Sequence, residues 1–535
     1  MRKILLTGLL LASLCGCGTK TEKQDAAVVS DSITNPMMWA DVPDPDVIRV
    51  GDTFYLVSTT MHLMPGAPIM RSKDLVNWEM VSYVFDKLHD TPRYDLQEGT
   101  VYGRGQWATS LRYHDGKFYL YFSPNDQPYR GYVYTTEDPA KGWTLLARTP
   151  HFHDASLFFD DDGRVYMIYG TGELCELKSD LSDVKPDGVK MRIFERDADE
   201  TGLLEGSRFI KHDGKYYLLM ISWPQGKPRR QVCYRADKIT GPYEKKVILE
   251  SDFGGFYYVG QGTIVDDAQG NWYGVIFQDR GGVGRVLTLM PCRWIDGWPI
   301  LGDENGRVPL TMRKPVLGQP DIPLVVSDEF DESKLKLNWQ WNHNPIDSAY
   351  SVTERPGFLR LHTSRVVDNL YLAPNTLTQR MEGPGCTGTV SLDLSHMQAG
   401  DVAGFAAFNG HSGILEVHAD EQGKYLSMAT NVVDFKEPGK VVVGVNPEEK
   451  ERVNLSGDVI YLRIQTDFRP GKDIATFFYS TDGKEWKKIG PDFKMMFDYR
   501  KLFMGTKFAI FNYATRATGG YVDVDYFHYE REPMR

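Results

Sequence analysis

The chain is poor in cysteine, with 6 among 535 residues, and two of these, Cys15 and Cys17, fall at the N-terminus. The other four, Cys175, Cys233, Cys292 and Cys386, lack the short paired spacings of a zinc site or a disulfide framework, so they read as buried small hydrophobes and no metal is expected. A surplus of positive charge is also missing. The 61 Lys and Arg against 72 Asp and Glu leave a net charge of −11, which argues against nucleic acid, whose phosphates demand a basic face. No long stretch carries a helical period. There is no Gly-x-Ser-x-Gly elbow of a serine esterase, and the Gly-rich QDRGGVGR at 278–285 lacks the lysine and strand–helix setting of a phosphate loop.

After Leu14 no apolar run is long enough to cross a membrane. The first residues, MRKILLTGLLLASLCGCG, place a short apolar stretch behind Arg2 and Lys3 and end in a pattern that resembles a bacterial lipobox, with Cys17 as the lipidated residue. Residues 1–17 are therefore expected to be a lipoprotein signal peptide and 18–32 a polar tether. An exported, lipid-anchored protein follows, touching membrane only through its anchor. The segment after Cys17 has no dense acidic run, so a periplasm-facing anchor is favoured.

What the chain does have is aromatic residues (12 %) and 51 glycines, arranged in a phrase written five times. DVIRVGDTFYLVS (46–58), SLRYHDGKFYLYFS (110–123), SLFFDDDGRVYMIYG (156–170), SRFIKHDGKYYLLMIS (207–222) and TIVDDAQGNWYGVIF (263–277) each read as a β-hairpin around an Asp/Gly turn. Their turn glycines, Gly51, Gly116, Gly163, Gly214 and Gly270, are 65, 47, 51 and 56 residues apart. That is the length of one four-stranded propeller blade. The expectation is an all-β chain with a five-bladed β-propeller over 33–312; a β-sandwich with chance hairpin similarity is the alternative for this half. The proline-bearing 313–324 reads as a linker. Beyond it, cleanly alternating strands such as 358–363, 389–395, 461–467, 475–483 and 521–530 lack the blade spacing and point to an antiparallel β-sandwich over 325–535.

Counting back nine residues from the last four turn glycines reaches Trp107, Asp154, Glu205 and Gln261, while Asp44 precedes the first turn by seven. The innermost strand of a blade lines the central channel, so these five side chains are expected in one funnel. Three carboxyl groups sharing a pocket repel when ionised, and at least one must hold its proton more tightly. A proton donor and a proton acceptor can then coexist at neutral pH beside a Trp suited to stacking on a sugar ring, the equipment of glycosidic hydrolysis. His151, His153 and the run Asp160–Asp162 could suggest a metal, but the run overlaps a hairpin turn and reads as a solvated turn.

These motifs carry a family likeness. VPDPDVIRVGDTFYLVSTT, GQWATSLRYHDGKFYLYFS, HDASLFFDDDGRVYMIYG, LLEGSRFIKHDGKYYLL and GRVLTLMPCRWIDGWPIL together resemble family 43 glycoside hydrolases, five-bladed propellers that invert the anomeric centre. Residues 325–535 look like the concanavalin-like jelly roll that follows the propeller in β-xylosidase-type members. The resemblance implies Asp44 as general base, Glu205 as general acid and Asp154 as the carboxylate that tunes and orients the acid. Base and acid of an inverting pair stand roughly 6.5–9.5 Å apart. It further implies sugar contacts from Trp107, Arg285, Gln261 and Met61. Gln261 stands where the family often has a His linked to a channel ion, which puts a structural calcium in doubt; no cofactor is required. Met61 replaces a usual aromatic. The expected substrate is a plant-derived oligosaccharide carrying terminal β-D-xylosyl or α-L-arabinofuranosyl residues. The alternatives are an endo-acting arabinanase and a non-catalytic carbohydrate-binding lipoprotein.

Overall fold

The computed structural model describes residues 31–257, 259–437 and 440–533; the signal peptide with Cys17, and nearly all of the tether, lie outside the described residues. Five four-stranded antiparallel sheets come first, each built from one continuous stretch of chain. Blade I runs Asp46–Val50, Thr53–Val57, Gly66–Ser72 and Glu79–Phe85 from the inside out, and blade II runs Ser110–His114, Lys117–Phe122, Arg130–Thr136 and Thr144–Pro150. Blade III comprises Ser156–Phe159, Val165–Tyr169, Glu173–Leu177 and Lys190–Arg192, and blade IV Leu203–His212, Lys215–Trp223, Arg230–Ala236 and Glu244–Leu249. Blade V is Val259–Asp266, Trp272–Asp279, Arg285–Ile295 and Trp298–Leu301. The five inner strands touch their neighbours in turn, blade V meeting blade I, so the ring closes. All five sequence phrases are the first hairpins of these blades.

The hairpin turns explain the repeat. Asp115 (φ 46°) with Gly116 (φ 80°), and Asp213 (φ 47°) with Gly214 (φ 74°), both take left-handed conformations. Asp and Gly tolerate these, and the resulting twist matches that of the flanking strands. Alternating burial then packs blade against blade: Leu56, Leu120, Met167, Leu218 and Ile276 are all sealed from solvent. The four cysteines of the described chain are free and buried.

The sandwich has two sheets. One runs Tyr350–Ser351, Leu359–His362, Tyr521–Arg531, Gly385–Asp393, Val459–Asp467, Ile474–Ser480 and Lys487–Lys488. The other includes Gly423–Lys436, His411–Asp420, Asp401–Phe408, Lys507–Ala514, Leu377–Arg380 and Gln340–Asn342. Phe405, Phe508 and Phe527 interlock between them. The five strand segments singled out in the sequence all fall in this domain.

Ser32–Thr34 pairs with Thr311–Arg313 in a separate two-stranded ribbon, which ties the start of the described chain to the segment that follows blade V. Ile33, 5 % exposed, anchors this ribbon in the core between blades V and I. The domains are also stitched together. Leu63–Met64, in the blade I connection, pairs with Gln340–Asn342 and completes the larger sandwich sheet. Both residues are buried, and their backbone groups need ladder partners; the partners come from the other domain.

Candidate active site

The N-terminal ends of the inner strands bring the predicted residues to one face of the ring. Asp44, Trp107 and Asp154 lie just ahead of their strands, while Glu205 and Gln261 lie within theirs. The two inner-strand register breaks fall between Glu205 and Arg208 and between Val259 and Gly262. A bulge re-aims the side chain beside it, here Glu205 and Gln261. Gly206 is essential to that fit: it takes φ 73°, and a Cβ there would stand 2.2 Å from the Gln261 carboxamide carbon. Gln261 is buried, and its Nε2 has no partner among the described residues.

Asp44 takes φ 53°, and its carboxylate accepts from Thr59 Oγ1 at 2.6 Å and from Arg285 Nη1 at 3.2 and 3.4 Å. Arg208, wholly buried, donates to the carbonyls of Asp44 (2.9 Å) and Pro45 (3.3 Å) and fixes the backbone from below. Asp46, two residues on, is used differently. It accepts from Arg112 Nη1 at 2.7 Å and Leu111 N at 2.9 Å, with Arg208 Nε at 3.5 Å. Its 1 % exposure leaves no face for a reactant.

Glu205 is the open carboxyl of the group, its side chain 30 % exposed, and its Oε2 accepts from His153 Nε2 at 3.2 Å. His153 Nδ1 stands 3.8 Å from Asp154 Oδ1. Burial alone would lower the His153 pKa, but Asp154, Glu205 and Asp44 outweigh it and the imidazole is held protonated above its ordinary range. Asp154 moves up because it is buried and because Glu205 and Asp44 repel its charge, against the pull of His153 and Arg208. Burial and like charge thus supply a proton-holding carboxyl next to the exposed one. One ligand atom from each of His153, Asp154 and Glu205 lies within 4.8 Å of the others, spacing that a cation could also exploit.

Trp107 forms one wall, with ring centroids 5.9 Å from His153 and 5.8 Å from Phe503. Gln106 holds this segment: fully buried, it accepts from Thr60 N and donates to Ser58 O, Trp107 O and Thr109 Oγ1. Met61 is 2 % exposed, and its backbone exchanges two hydrogen bonds with Gln106; its tie to the site runs through the backbone.

Phe503 was invisible to the blade register because it comes from the sandwich. Its ring lies 4.5 Å from the Arg285 guanidinium carbon, and its carbonyl accepts from Arg285 Nη2 at 3.3 Å. It takes φ 58°, a costly conformation for a bulky side chain and one that clusters at functional sites. The available signal was the run MMFDYRKLFMG at 495–505, unusually aromatic for a segment between strands. Asp41 secures that segment, accepting from Arg285 N, Gly505 N and, at 3.4 Å, Lys507 Nζ. Burial would raise the Asp41 pKa, but Lys507 and Arg285 hold it below the usual carboxylate range. Burial pulls the Lys507 ammonium down to about 8 despite Asp41.

Comparison with known proteins identifies the family of both domains. Residues 33–299 match the glycosyl hydrolases family 43 model, and residues 327–530 match the β-xylosidase C-terminal concanavalin A-like domain. A β-xylosidase of Formosa agariphila is 31 % identical over 98 % of this chain and 97 % of its own. The structure of a bifunctional GH43-CE protein of Bacteroides eggerthii superposes with a TM-score of 0.85 at 43 % identity, over 94 % of this chain; the chain spans 64 % of that protein's length. A GH43 glycoside hydrolase with an engineered active site, displaying both endo-xylanase and exo-arabinofuranosidase activity, gives a TM-score of 0.83 at 30 % identity, over 93 % of this chain and 99 % of its own.

Proposed function

The chain belongs to glycosyl hydrolase family 43 and is a glycoside hydrolase, and on that premise we propose that it is an inverting exo-glycosidase removing terminal β-D-xylosyl or α-L-arabinofuranosyl residues from plant-derived, xylan-type oligosaccharides. One observation carries the reading: an open carboxyl on Glu205 and a donor-clamped carboxylate on Asp44 share a funnel with the proton-holding Asp154.

In this mechanism Glu205, protonated on Oε1 while Oε2 accepts from His153, gives that proton to the glycosidic oxygen as the bond to the anomeric carbon breaks. Asp44 takes a proton from the water whose oxygen attacks that carbon from the opposite face. The cycle leaves Asp44 protonated and Glu205 ionised, and solvent exchange restores both. Thr59 and Arg285 fix the Asp44 oxygens toward the water. Protonated His153 orients Glu205 and offsets the charge that builds there, with Asp154 behind it. Trp107 and Phe503 present ring faces to the sugar. A side wall contributed by the second domain favours a closed, end-binding pocket over the open groove an endo-acting arabinanase needs.

The test is a paired measurement of kcat/KM on 4-nitrophenyl β-D-xyloside and 4-nitrophenyl α-L-arabinofuranoside, with a dye-linked polysaccharide alongside. Release of monosaccharide with the xyloside preferred supports the reading. Internal cutting of the polymer without monosaccharide overturns it. Export and anchoring through Cys17 belong to the same proposal; a Cys17→Ser variant that still labels with radioactive palmitate removes that part.

A further inference from the structure

A second cavity, of about 620 Å³, opens where blade V, the N-terminal segment and the sandwich meet, lined among others by Pro36, Trp39, Phe253, Arg280, Pro384 and Arg469. Arg280 is 3 % exposed, yet the one hydrogen bond of its side chain among the described residues runs from Nε to Gln278 Oε1 at 2.8 Å. Its guanidinium carbon lies 5.2, 5.3 and 5.0 Å from the ring centroids of Trp39, Phe253 and Phe256. Among the described residues no carboxylate lies within ion-pair distance of it. Asp279, beside it in the chain, is taken by Arg229 at 3.0 Å. Across the cavity Arg469 is paired with Glu532 and, at 3.1 Å, Asp467. Burial alone pulls Arg280 down to about 10.

The fold holds this cation in place with some care. Gln278, itself fully buried, donates from Nε2 to the carbonyls of Phe253 (2.8 Å) and Phe256 (3.0 Å), pinning the turn between them. Gly254 in that turn lets backbone approach the guanidinium, since a Cβ there would sit 2.1 Å from Nη2. Aromatic faces repay part of the desolvation of a cation, about 0.5–2 kcal/mol per contact, whereas a buried charge without a counter-ion costs several. A fork of free N–H groups in a cavity walled by aromatic and proline surface has the chemistry to grip a carboxylate in bidentate fashion while a ring lies on the apolar wall. The volume exceeds what a bare ion needs and falls in the range of small-molecule sites.

We propose that this cavity is a second, non-catalytic saccharide site that selects a ring bearing a carboxylate, such as a uronic acid. It stands independently of the catalytic reading. Isothermal titration of the full chain with glucuronate, glucuronamide and benzoate tests it. Glucuronate is expected to bind roughly tenfold more tightly than the isosteric amide, the value of a charge-assisted pair. That preference should vanish in Arg280→Gln while 4-nitrophenyl xyloside hydrolysis is unchanged. Equal binding of acid and amide, or none of either, overturns the site. Benzoate binding in place of glucuronate overturns the saccharide assignment. Should Arg280→Gln fail to fold, the acid–amide comparison on the unmodified chain decides alone, and Arg280→Lys, with the charge but not the fork, is expected to lose most of the preference.

Discussion

Asp44 and Asp46 stand two residues apart in Pro-Asp-Pro-Asp and serve opposite ends. Asp46 is enclosed by Arg112, Arg208 and a backbone N–H, and forms part of an ion-pair layer beneath the funnel. Asp44, above that layer, keeps its carboxylate at the funnel with one guanidinium and one hydroxyl. The residue type and the local sequence are the same, so the difference lies in what long-range partners leave unsatisfied. A saturated carboxylate braces the ring, and a partly engaged one is available for chemistry.

Substitutions can break that comparison. Asp44→Asn is expected to lower kcat by roughly 10³–10⁴ on every glycoside, with a smaller fall in melting temperature than Asp46→Asn, read by initial rates and calorimetry. An active Asp44→Asn returns the base to other candidates. Glu205→Ala should lose about 10²–10⁴ on glycosides with poor leaving groups but much less on aryl glycosides whose leaving group needs no proton; equal losses take Glu205 out of the acid role. Asp46→Asn should reverse the pattern. Leaving Arg208 and Arg112 without a counter-charge costs about 3–5 kcal/mol, seen as a sharp fall in denaturant midpoint, and a stable Asp46→Asn removes the bracing role.

Smaller effects sharpen the picture at the interface and in pH. Phe503→Ala should raise KM by roughly tenfold through loss of an aromatic contact with the sugar, with melting little changed; an unchanged KM denies the sandwich a part in the pocket. Asp154 has its folded pKa raised, so its favourable contribution is complete below the unfolded carboxyl pKa and fades as pH rises through the folded value. Asp154→Asn mimics the protonated form. It should therefore raise the melting temperature at pH 8 by roughly 2–4 °C, with a smaller gain at pH 5, while slowing catalysis. A gain confined to acid pH contradicts the assigned environment.

The ring was legible because its hairpin turns need Asp and Gly at a fixed place, and that local demand recurs at blade length. The register then located Trp107, Asp154, Glu205 and Gln261, since a backbone position repeated in each blade points at the same axis. Asp44 and Asp46 could not be separated that way, because their partners Arg112, Arg208 and Arg285 are remote in sequence. Phe503, the Leu63–Met64 strand that completes the sandwich and the Asp41–Lys507 pair were hidden for the same reason. Each depends on two domains meeting, and no local period encodes that. His153 was seen only as a possible metal ligand; its contact with Glu205 needed the bulge of blade IV.

If Asp44 and Glu205 act from opposite faces of the sugar in one displacement, the first product carries the inverted anomeric configuration. Proton NMR of 4-nitrophenyl β-D-xyloside during the first minutes of hydrolysis, before mutarotation, reads this out. α-Xylose is expected first, with β-xylose only as the anomers equilibrate; β-xylose as the first product rules out the single displacement.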